Sequence, residues 1–264
     1  MSTADVSRVT RRANESPVVE WGARVGFVVL GVLHLVIAWI ALKVAWNIGG
    51  GSKSADQSGA LTTMASSSTG PLLLWVAVVG FGLLAVWNVT EGVLSHGETG
   101  DRVKLVAKGV MYAFFAWTSF KVVALGSGGS SEKQTEDATA TLMSNPAGQV
   151  LVGVVGLVVL GIACYHVYKG WTKKFLEDLR EHPGGWAVQA GRAGYVAKGV
   201  ALLVVGVFFV IAAVQHDPDK AQGLDGALKS LKDMAFGPVL LTVVALGIAA
   251  YGVYSFARAR YARL

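Results

Sequence analysis

The sequence predicts an all-α integral membrane protein with six transmembrane helices, arranged as three helical-hairpin repeats of parallel topology around a pseudo-threefold axis. Three observations lead to this prediction. Hydrophobic residues make up 53% of the 264 residues and charged residues 15%, and the mean hydropathy is +0.52. This composition is more apolar than that of an ordinary soluble domain. Six apolar windows recur along the chain, and related short sequence motifs recur within them.

The six apolar windows are close to the ~20 residues that a helix needs to cross a ~30 Å hydrocarbon core. None of the six contains an Asp or a Glu, as expected where a carboxylate would face lipid. We therefore interpret each window as a span. The spans are Val25–Trp46, Pro71–Val89, Leu105–Leu125, Gln149–Tyr168, Ala193–Val214 and Pro238–Ala257.

The distribution of basic residues predicts that both termini face the cytoplasm. Sixteen of the 23 Lys and Arg residues lie on the side that carries the two termini and the second and fourth connections, and such an excess marks the cytoplasmic side. The first 20 residues lack the apolar core of a secretory signal, so we expect the first span to direct insertion. The net charge of +6 fits attraction to anionic lipid headgroups, and no basic patch interleaved with aromatic residues indicates nucleic acid.

The chain also repeats one two-helix unit three times. Each odd span opens with an arginine that is followed by a glycine seven residues later, at Arg24, Arg102 and Arg192. The fourth and sixth spans share a second motif, which occupies Gly161–Tyr168 in one and Gly247–Tyr254 in the other. Self-similarity at a regular spacing is typical of repeat architectures. Because each repeat begins on the cytoplasmic side, the repeats are parallel, unlike the inverted repeats of many alternating-access carriers.

These repeats divide the chain into six segments. They are an N-terminal cytoplasmic tail (1–23), repeat 1 (24–92), repeat 2 (93–170), a cytoplasmic linker with a short amphipathic helix (171–191), repeat 3 (192–257) and a basic cytoplasmic C-terminal tail (258–264).

The outer connections carry their own patterns. In the third connection, Leu224, Leu228 and Leu231 fall at helical spacing, which predicts a short amphipathic helix lying on the outer membrane face. The Gly/Ser-rich stretches Gly49–Ser54 and Gly126–Ser131 predict flexible loops in the other two.

The repeated motif is most complete as Arg192-Ala-Gly-Tyr195-Val-Ala-Lys198-Gly199. An apolar span and a Gly-rich second span follow this motif, and the whole pattern resembles that of the domain of unknown function 1206 family. The resemblance runs from Trp21 to Ala257. It implies three two-helix repeats in a bacterial, often actinobacterial, cytoplasmic membrane, and it implies no activity. The first repeat departs from the motif at Leu30, and the second repeat departs from it at Lys104 and Leu105.

Few polar residues inside the spans are candidates for binding or chemistry. His34 lies about ten residues into the first span, ~15 Å deep. We interpret it either as a proton or metal site or as a neutral imidazole hydrogen-bonded to a neighbouring helix. His166 and Glu91, near the cytoplasmic ends of the fourth and second spans, are the other intramembrane candidates. A haem between the two histidines is disfavoured because they lie at different depths.

The repeat arginines are the candidates for binding lipid or a partner. In one interpretation, Arg24, Arg102 and Arg192 each anchor a span at lipid phosphates. In the other, the three converge around the axis to hold an anionic headgroup or an acidic segment of a partner. Lys108 and Lys198 lie on the same side, where their long side chains can reach the interface.

The sequence predicts no catalytic residue, no metal site and no cofactor. It contains no nucleophile with its base, no phosphate-binding loop and no zinc-ligand spacing. The preferred hypothesis is a non-enzymatic scaffold or accessory subunit that docks another membrane complex or anionic lipid. The alternative is a transporter or channel for a small solute or ion, in which His34 is the polar residue within the membrane that the solute or ion contacts. A weaker alternative is a metal or redox protein that uses His34, Cys164 and His166.

Overall fold

The structure is a computed structural model that describes residues 17–48, 54–66, 68–94, 99–126 and 131–263. The predicted loops Gly49–Ser54 and Gly126–Ser131 lie largely outside these residues. Two 3-10 helices, Lys174–Asp178 and Pro218–Lys220, accompany the α-helices. The α-helices are α1 (Pro17–Ala45), α2 (Gln57–Ala65), α3 (Gly70–Leu94), α4 (Thr99–Leu125), α5 (Ser131–Met143), α6 (Pro146–Trp171), α7 (Gly185–Gln215), α8 (Leu224–Lys232) and α9 (Gly237–Tyr261).

Five of these helices are long and apolar enough to cross a membrane. The segments that qualify in α1, α3, α6, α7 and α9 are Trp21–Ala45, Gly70–Val93, Pro146–Trp171, Gly185–Gln215 and Gly237–Tyr261. The predicted third span, Leu105–Leu125, lies in α4, which is long enough at 27 residues but does not qualify. Lys108 and Lys121 lie inside it and lower its hydropathy. The protein is therefore a helical protein with several apolar helices that suggest multiple membrane passes.

Local sequence explains where some of the helices begin and end. The Asn145 side chain accepts a 2.9 Å hydrogen bond from the Gly148 amide, and Pro146 opens the first turn of α6, where a missing amide costs nothing. The same helix stops before Lys173, whose φ of 60° is left-handed.

The six long helices form an arc rather than a closed ring. Their packing order is α4, α3, α1, α9, α7 and α6, and within the described part of the chain α4 and α6 share no extensive interface. The apolar window of α1 is 56% buried inside the protein, and that of α6 is 17% buried. The helices α1 and α9 therefore form the centre of the arc, and α4 and α6 form its two ends.

The tightest helix pairs do not coincide with the sequence repeats. They are α3 with α4, α6 with α7 and α9 with α1, so each joins the second helix of one repeat to the first helix of the next. The repeat glycines Gly31, Gly109 and Gly199 explain these pairs. A Cβ on any of them would lie within 2.8–2.9 Å of the partner helix's backbone, so only glycine permits this approach. The two long helices of repeat 2, α4 and α6, therefore pack against helices of other repeats and not against each other.

The three short helices α2, α5 and α8 lie together at one end of the bundle. The sequence predicted that α8 rests on the outer membrane face, but its apolar residues Ala227, Leu228 and Leu231 are buried against α7 and α9. Asp225, only 2% exposed, accepts a 2.6 Å hydrogen bond from the Ala55 amide, which ties the first outer connection to the third. The predicted short helix is therefore confirmed, but its leucines pack on protein instead of facing lipid.

At the other end, the linker between α6 and α7 folds into the bundle. The sequence predicted a short amphipathic helix in residues 171–191, but the chain forms a 3-10 helix between the end of α6 and the start of α7 at Gly185. Phe175 is fully buried, and Leu179 forms a β-bridge with Ala262. The prediction failed because Phe175 inserts among aromatic rings of α7 and α9 instead of lying along a helical stripe.

Candidate functional site

Two of the three repeat arginines bind backbone carbonyls at the ends of neighbouring helices. Arg24 Nη1 donates hydrogen bonds of 2.8 Å and 2.5 Å to the carbonyls of Ala259 and Arg260 in the last turn of α9. Arg102 donates bonds of 3.2 Å and 3.0 Å to two carbonyls in the last turn of α3. The last carbonyls of a helix lack intrahelical donors and carry partial negative charge, so a cation stabilises them.

Arg192 occupies the equivalent position beside α6. Its guanidinium lies 5.1 Å from the ring centroid of Trp171, the last residue of that helix. The three arginines therefore contact the ends of three different helices, each the tight partner of the helix that carries the arginine. The structure does not bring Arg24, Arg102 and Arg192 together at one anion.

We expect Arg102→Gln to lower the free energy of unfolding by about 1–2 kcal/mol, because it removes a charged donor from a partly buried helix end. The matched control is Lys104→Gln on the same turn, whose ion pair with Asp101 is exposed on both sides. Such exposed pairs contribute about 0–1 kcal/mol. Denaturant unfolding in detergent measures both variants, and equal losses would contradict the capping role.

Another group of polar residues does come together, around two tyrosines. The rings of Tyr195 in α7 and Tyr251 in α9 lie 5.3 Å apart, edge to face. The His34 ring lies 4.8 Å from that of Tyr251, and the His166 ring lies 5.7 Å from that of Tyr195. The two histidines, which the sequence places at different depths, therefore flank one tyrosine pair.

Each histidine is also fixed to its own helix. The Nδ1 atoms of His34 and His166 lie 2.8 Å from the carbonyls of Leu30 and Ile162, one turn earlier. A carbonyl only accepts, so each Nδ1 carries the proton in this bond. We expected a neighbouring helix to supply the hydrogen bond to His34. The neighbouring helix α9 instead supplies the ring of Tyr251.

Lysines surround the same tyrosines. Lys198 Nζ lies 4.5 Å from the ring centroid of Tyr251, and Lys169 Nζ lies 5.5 Å from that of Tyr195. Ammonium groups over aromatic faces are attracted by the ring quadrupole. The charge of Lys198 also interacts with both His34 and His166. Lys198 therefore lies at the middle of the group rather than only at the membrane interface.

Arg258 is a further cation in this region. Its guanidinium stacks on Phe27, 4.3 Å from the ring centroid, and interacts electrostatically with Tyr112. Lys108 in α4 interacts electrostatically with Arg258 and with Lys169. We call Lys108, Lys169, Lys198 and Arg258 the cation cluster.

The cation cluster carries more positive than negative charge. The acidic group beside it is Asp178, whose carboxylate binds Lys169 Nζ at 2.7 Å. Among the described residues, Lys108, Lys198 and Arg258 form no ion pair with a carboxylate. The arrangement is therefore suited to hold an anion.

Part of this site was predicted from the sequence. The predicted residues include His34, His166, Lys108 and Lys198 but none of the tyrosines. Tyr195 lies in the repeated motif that begins with Arg192, and Tyr251 lies in the motif Gly247–Tyr254. Their places in repeated motifs could therefore have marked both tyrosines as candidates. Arg258 was assigned to a cytoplasmic tail of residues 258–264, whereas α9 continues to Tyr261. This extra turn of helix brings Arg258 into the bundle.

The remaining candidates lie elsewhere. Glu91 is half-buried in the last turns of α3, just before the carbonyls that Arg102 binds. Cys164 is exposed on α6. Within the described ranges, no three His, Cys, Asp or Glu side chains are grouped so that they could hold a metal ion.

Comparisons with known proteins bear on the whole chain. A family model described as Domain of Unknown Function (DUF1206) matches three segments, residues 25–95, 103–173 and 193–262. An uncharacterized protein of Bacillus subtilis (strain 168), YxxB, is 28% identical over 261 residues, which covers 93% of this chain and 92% of the relative. No solved structure matches the chain.

Proposed function

The chain belongs to the domain of unknown function 1206 family, and we propose that it is a six-span scaffold or accessory protein of the bacterial cytoplasmic membrane. In this proposal the bundle end that carries the cation cluster faces the cytoplasm and docks an anionic lipid or an acidic segment of another membrane complex. The observation that carries it is the positive excess of Lys108, Lys198 and Arg258 over the paired Asp178.

The sixth span of this proposal is α4. Its 27 residues extend ~40 Å at 1.5 Å per residue, enough to cross the hydrocarbon core. It packs along α3 through Gly109, as α1 packs along α9 through Gly31 and α7 packs along α6 through Gly199. Lys121 lies near one end of α4, and Lys108 lies three residues inside the predicted span Leu105–Leu125, so their long side chains can reach the two interfaces. Six passes place both termini on one side, the side that has most of the basic residues.

A second candidate function is transport of a small solute or ion. His34 lies in the middle of α1 and contacts Tyr251, so it connects mid-span depth with the cation cluster. The short helices α2, α5 and α8 cover the opposite end of the bundle. A transport path through His34 would have to open between these helices.

Flux measurements separate the two functions. We expect purified protein in liposomes to pass neither protons, followed with an internal pH dye, nor chloride, followed with a chloride electrode, above protein-free vesicles. The variant His34→Asn is the matched control, because it keeps a polar side chain but has no titrating ring. Flux that appears with the wild type and disappears with this variant would favour the transporter over the scaffold.

Native mass spectrometry after gentle detergent extraction tests the scaffold directly. We expect the intact chain to carry either anionic lipid above its share in the bulk membrane or a partner protein at a fixed stoichiometry. A bare chain, extracted from membranes with neither lipid enrichment nor a partner, would contradict the proposal.

A further inference from the structure

We infer that the cation cluster is a binding site for a phosphate-bearing anion, supplied by a lipid headgroup or by a soluble phosphate. This inference deepens the proposed function and rests on it for the cytoplasmic orientation of the site. Its residues are Lys108 of α4, Lys198 of α7 and Arg258 of α9, with the ring of Tyr251 against Lys198.

Arg258 has a donor group that the protein itself leaves unused. Its Nε is buried and has no hydrogen-bond partner, while the guanidinium stacks on Phe27. A buried donor without an acceptor is costly, so such groups call for an explanation. Arginine presents Nε and one Nη as a planar fork that matches two oxygens of a phosphate. A ligand oxygen is the acceptor that this nitrogen lacks.

The surrounding charges favour a doubly charged anion. The pair between Lys169 and Asp178 is internally neutral, which leaves the charges of Lys108, Lys198 and Arg258. Like charges that interact in this way repel one another, and an anion placed between them offsets the repulsion. A phosphate monoester carries about two negative charges at neutral pH, and a phosphodiester lipid carries one. Either neutralises part of the cluster, and its oxygens accept bonds from ammonium and guanidinium donors.

The opening in the arc of helices gives such an anion a way in. Lys108 lies on α4 and Lys169 on α6, the two helices at the open ends of the arc. The Lys108 side chain is exposed although it interacts with groups on both α6 and α9. A lipid whose acyl chains lie in the bilayer can reach Lys108 from the side with its headgroup.

Binding to charge variants tests the inference, with two probes that distinguish the sources. Inorganic phosphate is titrated into protein in neutral detergent by calorimetry. Phosphatidylglycerol, with phosphatidylcholine as reference, is counted on protein from nanodiscs by native mass spectrometry. We expect Lys108→Gln and Arg258→Gln to weaken binding of the probe that binds the wild type by about tenfold or more. The matched control, Lys104→Gln, removes an exposed charge one turn away, and we expect less than a twofold change.

The outcomes separate the site from the proposed function. Lys108 is exposed, so Lys108→Gln is expected to leave thermal unfolding unchanged and remains informative if Arg258→Gln fails to fold. Binding of phosphate identifies a soluble source, and binding of phosphatidylglycerol alone identifies a headgroup. If neither probe binds the wild type, or if Lys108→Gln and Lys104→Gln bind equally well, the inference is overturned. A partner protein that still co-purifies with Lys108→Gln would then leave the scaffold function standing without this site.

Discussion

Replacing Phe175 with alanine is expected to lower the free energy of unfolding by about 3–5 kcal/mol, the range for deleting a buried phenylalanine ring. Phe175 is fully buried, and its ring centroid lies 5.4 Å from that of Tyr195 and 5.1 Å from that of Tyr254. Its carbonyl accepts a 3.1 Å hydrogen bond from the Tyr254 hydroxyl. The loss is measured by denaturant unfolding of purified protein in detergent.

The matched control for this prediction is Phe114→Ala. Phe114 lies on α4 and is 58% exposed toward lipid in the proposed topology. Lipid tails are as apolar as the side chain they would replace, so little free energy is lost there. We expect a change below about 1 kcal/mol. Equal losses at Phe175 and Phe114 would show that the linker does not pack into the bundle.

The second large effect is expected at Gly194, where α7 crosses α9. A Cβ at Gly194 would lie 2.5 Å from the Tyr251 Cα, and that backbone atom cannot rotate away. We expect Gly194→Ala to cost about 1–3 kcal/mol or more, as overpacking does. It should also displace the Tyr251 ring from His34, which tyrosine fluorescence and histidine NMR shifts would report.

The control for this glycine is Gly161→Ala on α6. A Cβ there meets no atom within 4 Å. Alanine is favoured over glycine within a helix by about 0.5–1 kcal/mol, so this variant should be as stable as the wild type or more so. A stabilising effect at Gly194, or a large loss at Gly161, would contradict the helix pairing described above.

The sequence predicts the helices well because their signal is local. An apolar window of the right length forms a helix wherever its neighbours lie, and the repeated glycines mark the faces that touch. The pairing of helices was harder to predict, because Gly109 and Gly199 show that a close contact exists but not which helix supplies it. The same spacing fits a partner within the repeat or in the preceding repeat. The structure selects the preceding one.

The site was only partly predictable for a related reason. Residue spacing gave the depths of His34 and His166 along their own helices, and a difference in depth indicated that they were separate. Tyr195 and Tyr251, on two other helices, span that difference with their rings. Contacts of this kind depend on the tilt and pairing of four helices, which no local pattern encodes. The role of Arg258 likewise depends on how far α9 extends.

Labelling of the two ends of α4 shows how many times the chain crosses the membrane. In a variant with Cys164 replaced by serine, single cysteines are introduced as Thr99→Cys and Leu125→Cys, both at exposed positions. Intact cells are treated with a membrane-impermeant maleimide. With six spans, Leu125→Cys is labelled on intact cells and Thr99→Cys only after permeabilisation. Labelling of both cysteines from the same side would contradict the six-span arrangement.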